Sequence, residues 1–86
     1  MLARRVGDIA DMEAGPQPID ALMAEAEMRN HDLVAASDAG LTHKQVAKAR
    51  RGRRLTLKLQ RKVLVAWNAA VDEERELGEL FNYTGR

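Results

Sequence analysis

Residues Asp32–Arg51 read DLVAASDAGLTHKQVAKARR, and this stretch decides how the rest of the chain is read. Leu33, Val34 and Ala36 carry the apolar positions of a short helix, with Asn30 as its expected N-cap and Asp32 in the first turn, where an acid complements the helix dipole. Ser37-Asp38-Ala39-Gly40 interrupts that pattern, and Gly40 suits the left-handed conformation of a sharp turn. Thr42 is then an expected cap for a second helix running to Arg50 or Arg51 and ended by Gly52. Val46 and Ala49, three residues apart, face inward, so Thr42, His43, Lys44, Ala47, Lys48 and Arg51 face outward. Two short helices joined by a turn, the second cationic on its outer side, form the centre of the chain.

Toward the N-terminus, Pro18 suits the first turn of a helix, and Ile19, Leu22, Met23 and Ala26 follow at helical spacing toward an end near Met28 or Arg29. Gly15-Pro16-Gln17-Pro18 separates this helix from residues 1–17, which read as a flexible leader. Leu2, Val6 and Ile9 are spaced as on a helix that Gly7 weakens, and Arg4 and Arg5 offer a basic arm. Toward the C-terminus, Thr56 caps a helix whose apolar face is Leu59, Val63, Leu64, Trp67, Ala70 and Val71. Residues 18–71 therefore form the domain proper, and 72–86 an extension. In that extension the last helix continues, or a turn precedes a short helix at Glu76–Phe81. Its Leu77, Leu80, Phe81 and Tyr83 form an apolar set too large to leave in water; it caps the core or forms a two-fold interface.

The formal charge of +1 conceals a strong asymmetry. Residues 1–41 sum to −5 and residues 63–86 to −3, whereas 42–62 carry nine cations and no acid. Those nine are Lys44, Lys48, Arg50, Arg51, Arg53, Arg54, Lys58, Arg61 and Lys62, a footprint suited to a polyanion. Without cysteine, and with His31 and His43 outside any ligand motif, neither a disulfide framework nor a metal site is expected. No nucleophile–base constellation, paired-carboxylate site or phosphate-cradling glycine loop is visible, so an enzyme is not expected, nor a cofactor or small-molecule substrate. No apolar run reaches the roughly 18 residues of a membrane span, and the N-terminus lacks a secretory h-region, so the expected location is cytoplasmic. Three aromatic residues in 86 give poor support to single-strand recognition by stacked rings.

The stretch 32–51 resembles the twenty-residue helix-turn-helix of the phage-repressor-like (lambda-repressor-like) family, in which a small residue, a turn glycine and an aliphatic anchor recur; Ala36, Gly40 and Val46 take those places. Ala35, Ala39, Leu41 and Ala49 fill the remaining apolar positions, and Gly52-Arg53-Arg54 with the following helix is similar to the family's loop and fourth helix. The resemblance covers about residues 19–70 and implies an all-α, compact bundle of four to five helices. It departs from the pattern at Asp32, where the family commonly has a phosphate-binding glutamine, and at Leu33 and Val34, where polar residues are usual. A second register assigns Met28, Leu33 and Val34 to the apolar positions, moves Asn30 to the phosphate-contacting place and lengthens the turn by two residues. It buries larger side chains and is preferred.

Under both registers the resemblance implies that Thr42, His43, Lys44 and Lys48 contact base edges in the major groove of double-stranded DNA. Asn30, Gln45, Arg50, Arg51, Arg53 and Arg54 are expected on the sugar-phosphate backbone, joined by main-chain N–H groups at Leu55–Leu57. The expected function is sequence-specific regulation of transcription, as a repressor or autoregulator, by a homodimer. The alternatives are a helical protein-interaction module whose basic stripe meets an acidic partner, and nonspecific nucleic-acid binding.

Overall fold

The computed structural model describes residues 14–85. Five helices follow one another: α1 (Pro18–Glu25), α2 (Asn30–Ala36), α3 (His43–Arg51), α4 (Leu57–Val71) and α5 (Leu77–Leu80). The fold is all-α, with no strand among the described residues. The expected leader is described only from Ala14, and Leu2, Arg4, Arg5, Val6 and Ile9 lie outside the described residues.

Pro18 opens α1, where its fixed φ and missing N–H cost nothing. The helix ends at Glu25, earlier than its apolar spacing predicts. Met28 N–H reaches back to Met23 C=O at 2.8 Å and Glu27 N–H to Ala24 C=O at 3.1 Å, with Glu27 left-handed at φ +54. This is a Schellman closure built on a glutamate where glycine is usual. It turns the chain so that Met28 packs against the core.

The cap of α2 is Arg29 rather than the expected Asn30. Asp32 Oδ2 accepts the Arg29 N–H at 2.7 Å, and Asn30, shifted to the first helical position, has its side chain free for another partner. Ser37 then organises the turn, its hydroxyl oxygen accepting from Ala39 N–H at 3.2 Å, and Gly40 completes it at φ +77. Thr42 caps α3 as expected and does so reciprocally: its Oγ1 accepts from Gln45 N–H, and Gln45 Oε1 accepts from Thr42 N–H, both at 3.1 Å. At the other end Gly52, at φ +90, closes α3, with Gly52 and Arg53 N–H both on Lys48 C=O. Thr56 caps α4 through Leu59 N–H at 3.2 Å. Asp72, left-handed at φ +55, ends α4, and the Asn68 side chain pairs with both the N–H and the C=O of Arg75 to hold the bend into α5. The extension therefore breaks before a short helix.

The core gathers Ile19 and Met23 from α1, Leu33 from α2, Leu41 from the turn, and Val46 and Ala49 from α3. Leu55, Val63, Ala66 and Trp67 meet them from the α4 side, and Leu80 and Phe81 close the end. Leu77 and Tyr83 pack half-buried against the same core. The apolar set of the extension thus packs against the core of its own chain. The face of α4 is the expected one in Val63 and Trp67, both buried, and in Leu59, Leu64 and Val71, which pack half-buried against the core; Ala66 and Gln60 are buried as well, whereas Ala70 is exposed. In α2, Leu33 is fully buried with Val34 and Met28 packed beside it, while Ala35 and Ala39 are exposed. Those inward residues are the apolar set of the longer-turn register.

Two glutamines are buried, and each joins distant segments. Gln17, 2% exposed, donates from its main chain to Arg50 C=O and from its side chain to Gly15 C=O, and accepts from Asn82 N–H at 2.8 Å. Gln60, 1% exposed, donates to Tyr83 C=O at 3.3 Å and accepts from Gly85 N–H at 3.0 Å. Residues 14–17, expected within a flexible leader, therefore lie against the end of α3, with Ala14 N–H on Gly52 C=O at 2.7 Å.

Candidate nucleic-acid interface

The surface is built on α3. Val46 and Ala49 are fully buried, and this fixes the rotation of the helix about its axis. Thr42, His43, Lys44 and Arg51 are then exposed, with Ala47 and Lys48 half-buried along the same outer side. Of the four residues expected at base edges, the structure places Thr42, His43 and Lys44 at the start of α3 and Lys48 in its last turn. The capping pair holds the Thr42 backbone extended and leaves the rest of its side chain at the surface. A neighbour not foreseen in the sequence joins them: the His31 ring stacks on that of His43, with centroids 5.8 Å apart and planes at 24°. Twelve positions separate the two histidines, so their meeting depends on how α2 packs on α3, which no local pattern discloses.

The residues expected on the phosphates divide into two groups. Arg51, Arg53 and Arg54 are exposed around the end of α3. Arg50 has a different role from the expected one. Its Nε donates to Asp20 Oδ1 at 2.6 Å and its Nη1 to Asn30 Oδ1 at 2.8 Å, so one guanidinium ties α3 to α1 and α2. Asn30 is occupied by the same contact. Gln45 has its side-chain oxygen in the cap of α3, and Leu55 N–H already donates to the Tyr83 hydroxyl at 2.9 Å. The inward aim of Arg50 was illegible because its partners lie 30 and 20 residues away.

Among the described residues, Arg50 is the one member of the basic block in a salt bridge; the other ion pairs join Arg75 to Glu73 and Glu79. Lys44, Lys48, Arg51, Arg53, Arg54, Lys58, Arg61 and Lys62 have no acid within that distance among the described residues. Cations without acidic partners raise the local potential and favour an anionic partner.

The perturbed acid–base groups belong to the bend after α4. Hydrogen bonds from Arg75 and from the Trp67 indole hold the Glu73 carboxyl below its ordinary range, and the same pairing raises Arg75. A groove of about 330 Å³ beside the start of α4 is lined by Leu57, Gln60, Leu77, Phe81 and Tyr83, among others, with no carboxylate, amine or imidazole in its lining. Among the described residues no three His, Cys, Asp or Glu side chains are grouped to hold a metal ion, and no helix is long and apolar enough to cross a membrane. No family model, curated protein or solved structure matches the chain.

Proposed function

We propose that the protein binds double-stranded DNA sequence-specifically, with α2, its turn and α3 serving as a helix-turn-helix of the phage-repressor-like kind, and that it regulates transcription as a repressor or autoregulator. The observation that carries this reading is the division of α3. One side is locked into the core by Val46 and Ala49, while the other offers donors at its start and cations at its end, unpaired by acids among the described residues. A recognition helix is used in this way, its N-terminal residues meeting base edges in the major groove. Lys44 and Lys48 donate to guanine O6 or N7, His43 donates to the same acceptors, and the Thr42 methyl meets a thymine methyl. The small Ala47 between them lets the helix approach closely.

Arg51, Arg53 and Arg54 hold the sugar-phosphate backbone and supply affinity and register without reading sequence. These three phosphate contacts set the slope of log K against log[salt], which is therefore expected at about −3 per copy.

Selection from a random duplex library, with bound sequences read at two salt concentrations, tests the proposal. A recovered motif containing guanine supports it, and a palindrome with half-sites one helical turn apart adds two-fold binding. Binding without a motif leaves a nonspecific DNA binder. No binding at all refutes the DNA reading and directs attention to an acidic protein partner.

A further inference from the structure

The Tyr83 hydroxyl makes two hydrogen bonds, both to the loop between α3 and α4. It accepts from Leu55 N–H at 2.9 Å and donates to Arg53 C=O at 3.2 Å, so it brackets Arg53 and Arg54 from below. The Tyr83 ring lies under the Arg54 guanidinium, whose central carbon is 5.3 Å from the ring centroid. The ring meets Phe81 edge-on at 5.9 Å, and Phe81 is part of the core. On its other side the tail is clamped by the buried Gln60, which holds Tyr83 C=O and Gly85 N–H. A segment about 30 residues downstream thus bonds the backbone of the cationic loop and places an aromatic ring beneath one of its arginines.

We infer that Tyr83 is a positioning residue for phosphate binding: the C-terminal tail is the support on which Arg53 and Arg54 are aimed at the DNA backbone. The inference rests on the DNA-binding reading above and adds to it a residue outside the helix-turn-helix. A guanidinium stacked on an aromatic ring uses its face and keeps its in-plane N–H donors available, the edge that recognises a phosphate. Arginine on an unsupported loop loses rotamer freedom when it binds; one already held has less to lose. Removing the hydroxyl releases the Leu55–Arg53 bracket, and ordering the loop then falls to the binding step. Freezing one such side chain per copy corresponds to an affinity loss of about three- to tenfold. Because phosphate contacts carry no sequence information, the loss is expected to be equal on every duplex.

The test uses the full chain carrying Tyr83→Phe, titrated against the selected operator and a scrambled duplex across a salt series. The temperature is one at which fluorescence of the sole tryptophan, Trp67, shows each variant folded. At such a temperature a modest loss of stability leaves the folded fraction near one, so weaker binding reports aim rather than unfolding. Expected is the same about three- to tenfold loss on both duplexes, with base preference unchanged. Wild-type affinity in the folded variant overturns the inference alone, as does a loss confined to the operator. Failure of the wild-type chain to bind any duplex overturns the DNA reading, and this inference with it. Should Tyr83→Phe not fold, the wild-type chain decides instead: the ring resonances of its sole tyrosine, Tyr83, are expected to shift when duplex binds the arginine above it, and unmoved resonances overturn the inference.

Discussion

Arg50→Ala and Arg53→Ala separate an arginine that builds the surface from one that uses it. Arg50 bonds Asp20 and Asn30 with its side chain, whereas Arg53 is exposed and has no acid in reach among the described residues. The ion pair of Arg50 is partly solvated, with side chains 26% and 45% exposed, so it contributes no more than about 0.5–1 kcal/mol. The hydrogen bond to Asn30 adds about 1 kcal/mol. Arg50→Ala is therefore expected to destabilise the fold by about 1–2 kcal/mol, a fall in Tm of roughly 5–15 °C for a domain of this size. Its salt slope in DNA binding should remain that of the wild type. Arg53→Ala should do the opposite, leaving Tm within a few degrees and reducing the slope by about 0.9. Trp67, buried in the core and the sole tryptophan, reports unfolding by its fluorescence. Anisotropy of a labelled duplex across a salt series gives the slopes. If Arg50→Ala flattens the slope by about one and melts like the wild type, Arg50 is a phosphate ligand and the reasoning from its internal contacts fails.

Lys44→Ala combined with Lys48→Ala should abolish preference for the selected operator while retaining much of the affinity for random duplex; each base contact carries about 1–3 kcal/mol of discrimination. A motif recovered unchanged from the double variant would place base reading elsewhere. Gly52→Ala should lower stability by about 2–3 kcal/mol in chemical denaturation: alanine is strained at φ +90, and its Cβ would overlap the Gly15 backbone held against it. A loss below about 1 kcal/mol would show that residues 14–17 yield easily. The Glu73 carboxyl is depressed in the folded protein, so its contribution is present above the unfolded value near 4.5 and is lost as pH falls through the folded one. The Tm gap between wild type and Glu73→Gln should accordingly be open at neutral pH and close in acid. A gap of constant size at all pH values would refute that linkage.

The parts of the fold legible in the sequence are those set by neighbours in the chain. Thr42 and Thr56 cap helices three residues ahead of the amides they hold, and Gly52 closes α3 because no side chain opposes its left-handed backbone. Val46 and Ala49, one helical turn apart, sufficed to orient α3. The first helix illustrates the limit. Its apolar spacing runs on past Glu25, and the turn depends on Glu27 adopting a conformation that its residue type does not advertise. That turn is held by the main-chain bonds of Glu27 and Met28 and seats Met28 against the core. The burial of Gln60 on α4 is hidden from the sequence for a related reason. Gln60 looks like a surface residue by composition, and it is buried because the main chain of the tail saturates its amide.

The illegible contacts share one character, and it bears on the candidate surface. Arg50 with Asp20 and Asn30, Gln17 with Asn82, Gln60 with the tail, and Tyr83 with the α3–α4 loop are all polar contacts between segments distant in sequence. Hydrophobic periodicity identifies which faces are buried, but it leaves the relative placement of short helices open, since apolar contact tolerates sliding. Directional bonds to main-chain groups do not tolerate it, because each unmade buried partner costs about 1–3 kcal/mol. Here they converge on α3 and the loop that follows it. Gln17 holds the last turn through Arg50 C=O, Arg50 braces it against α1 and α2, and Tyr83 supports the loop beyond. A cationic surface needs such bracing more than a neutral one does, since its charges repel one another until an anion arrives. The residues that read as interface in the sequence therefore divide by function in the fold. Arg50, Asn30 and Gln45 are tied to partners within the chain and hold the surface in shape, whereas Lys44, Lys48, Arg51, Arg53 and Arg54 have no acid in reach among the described residues.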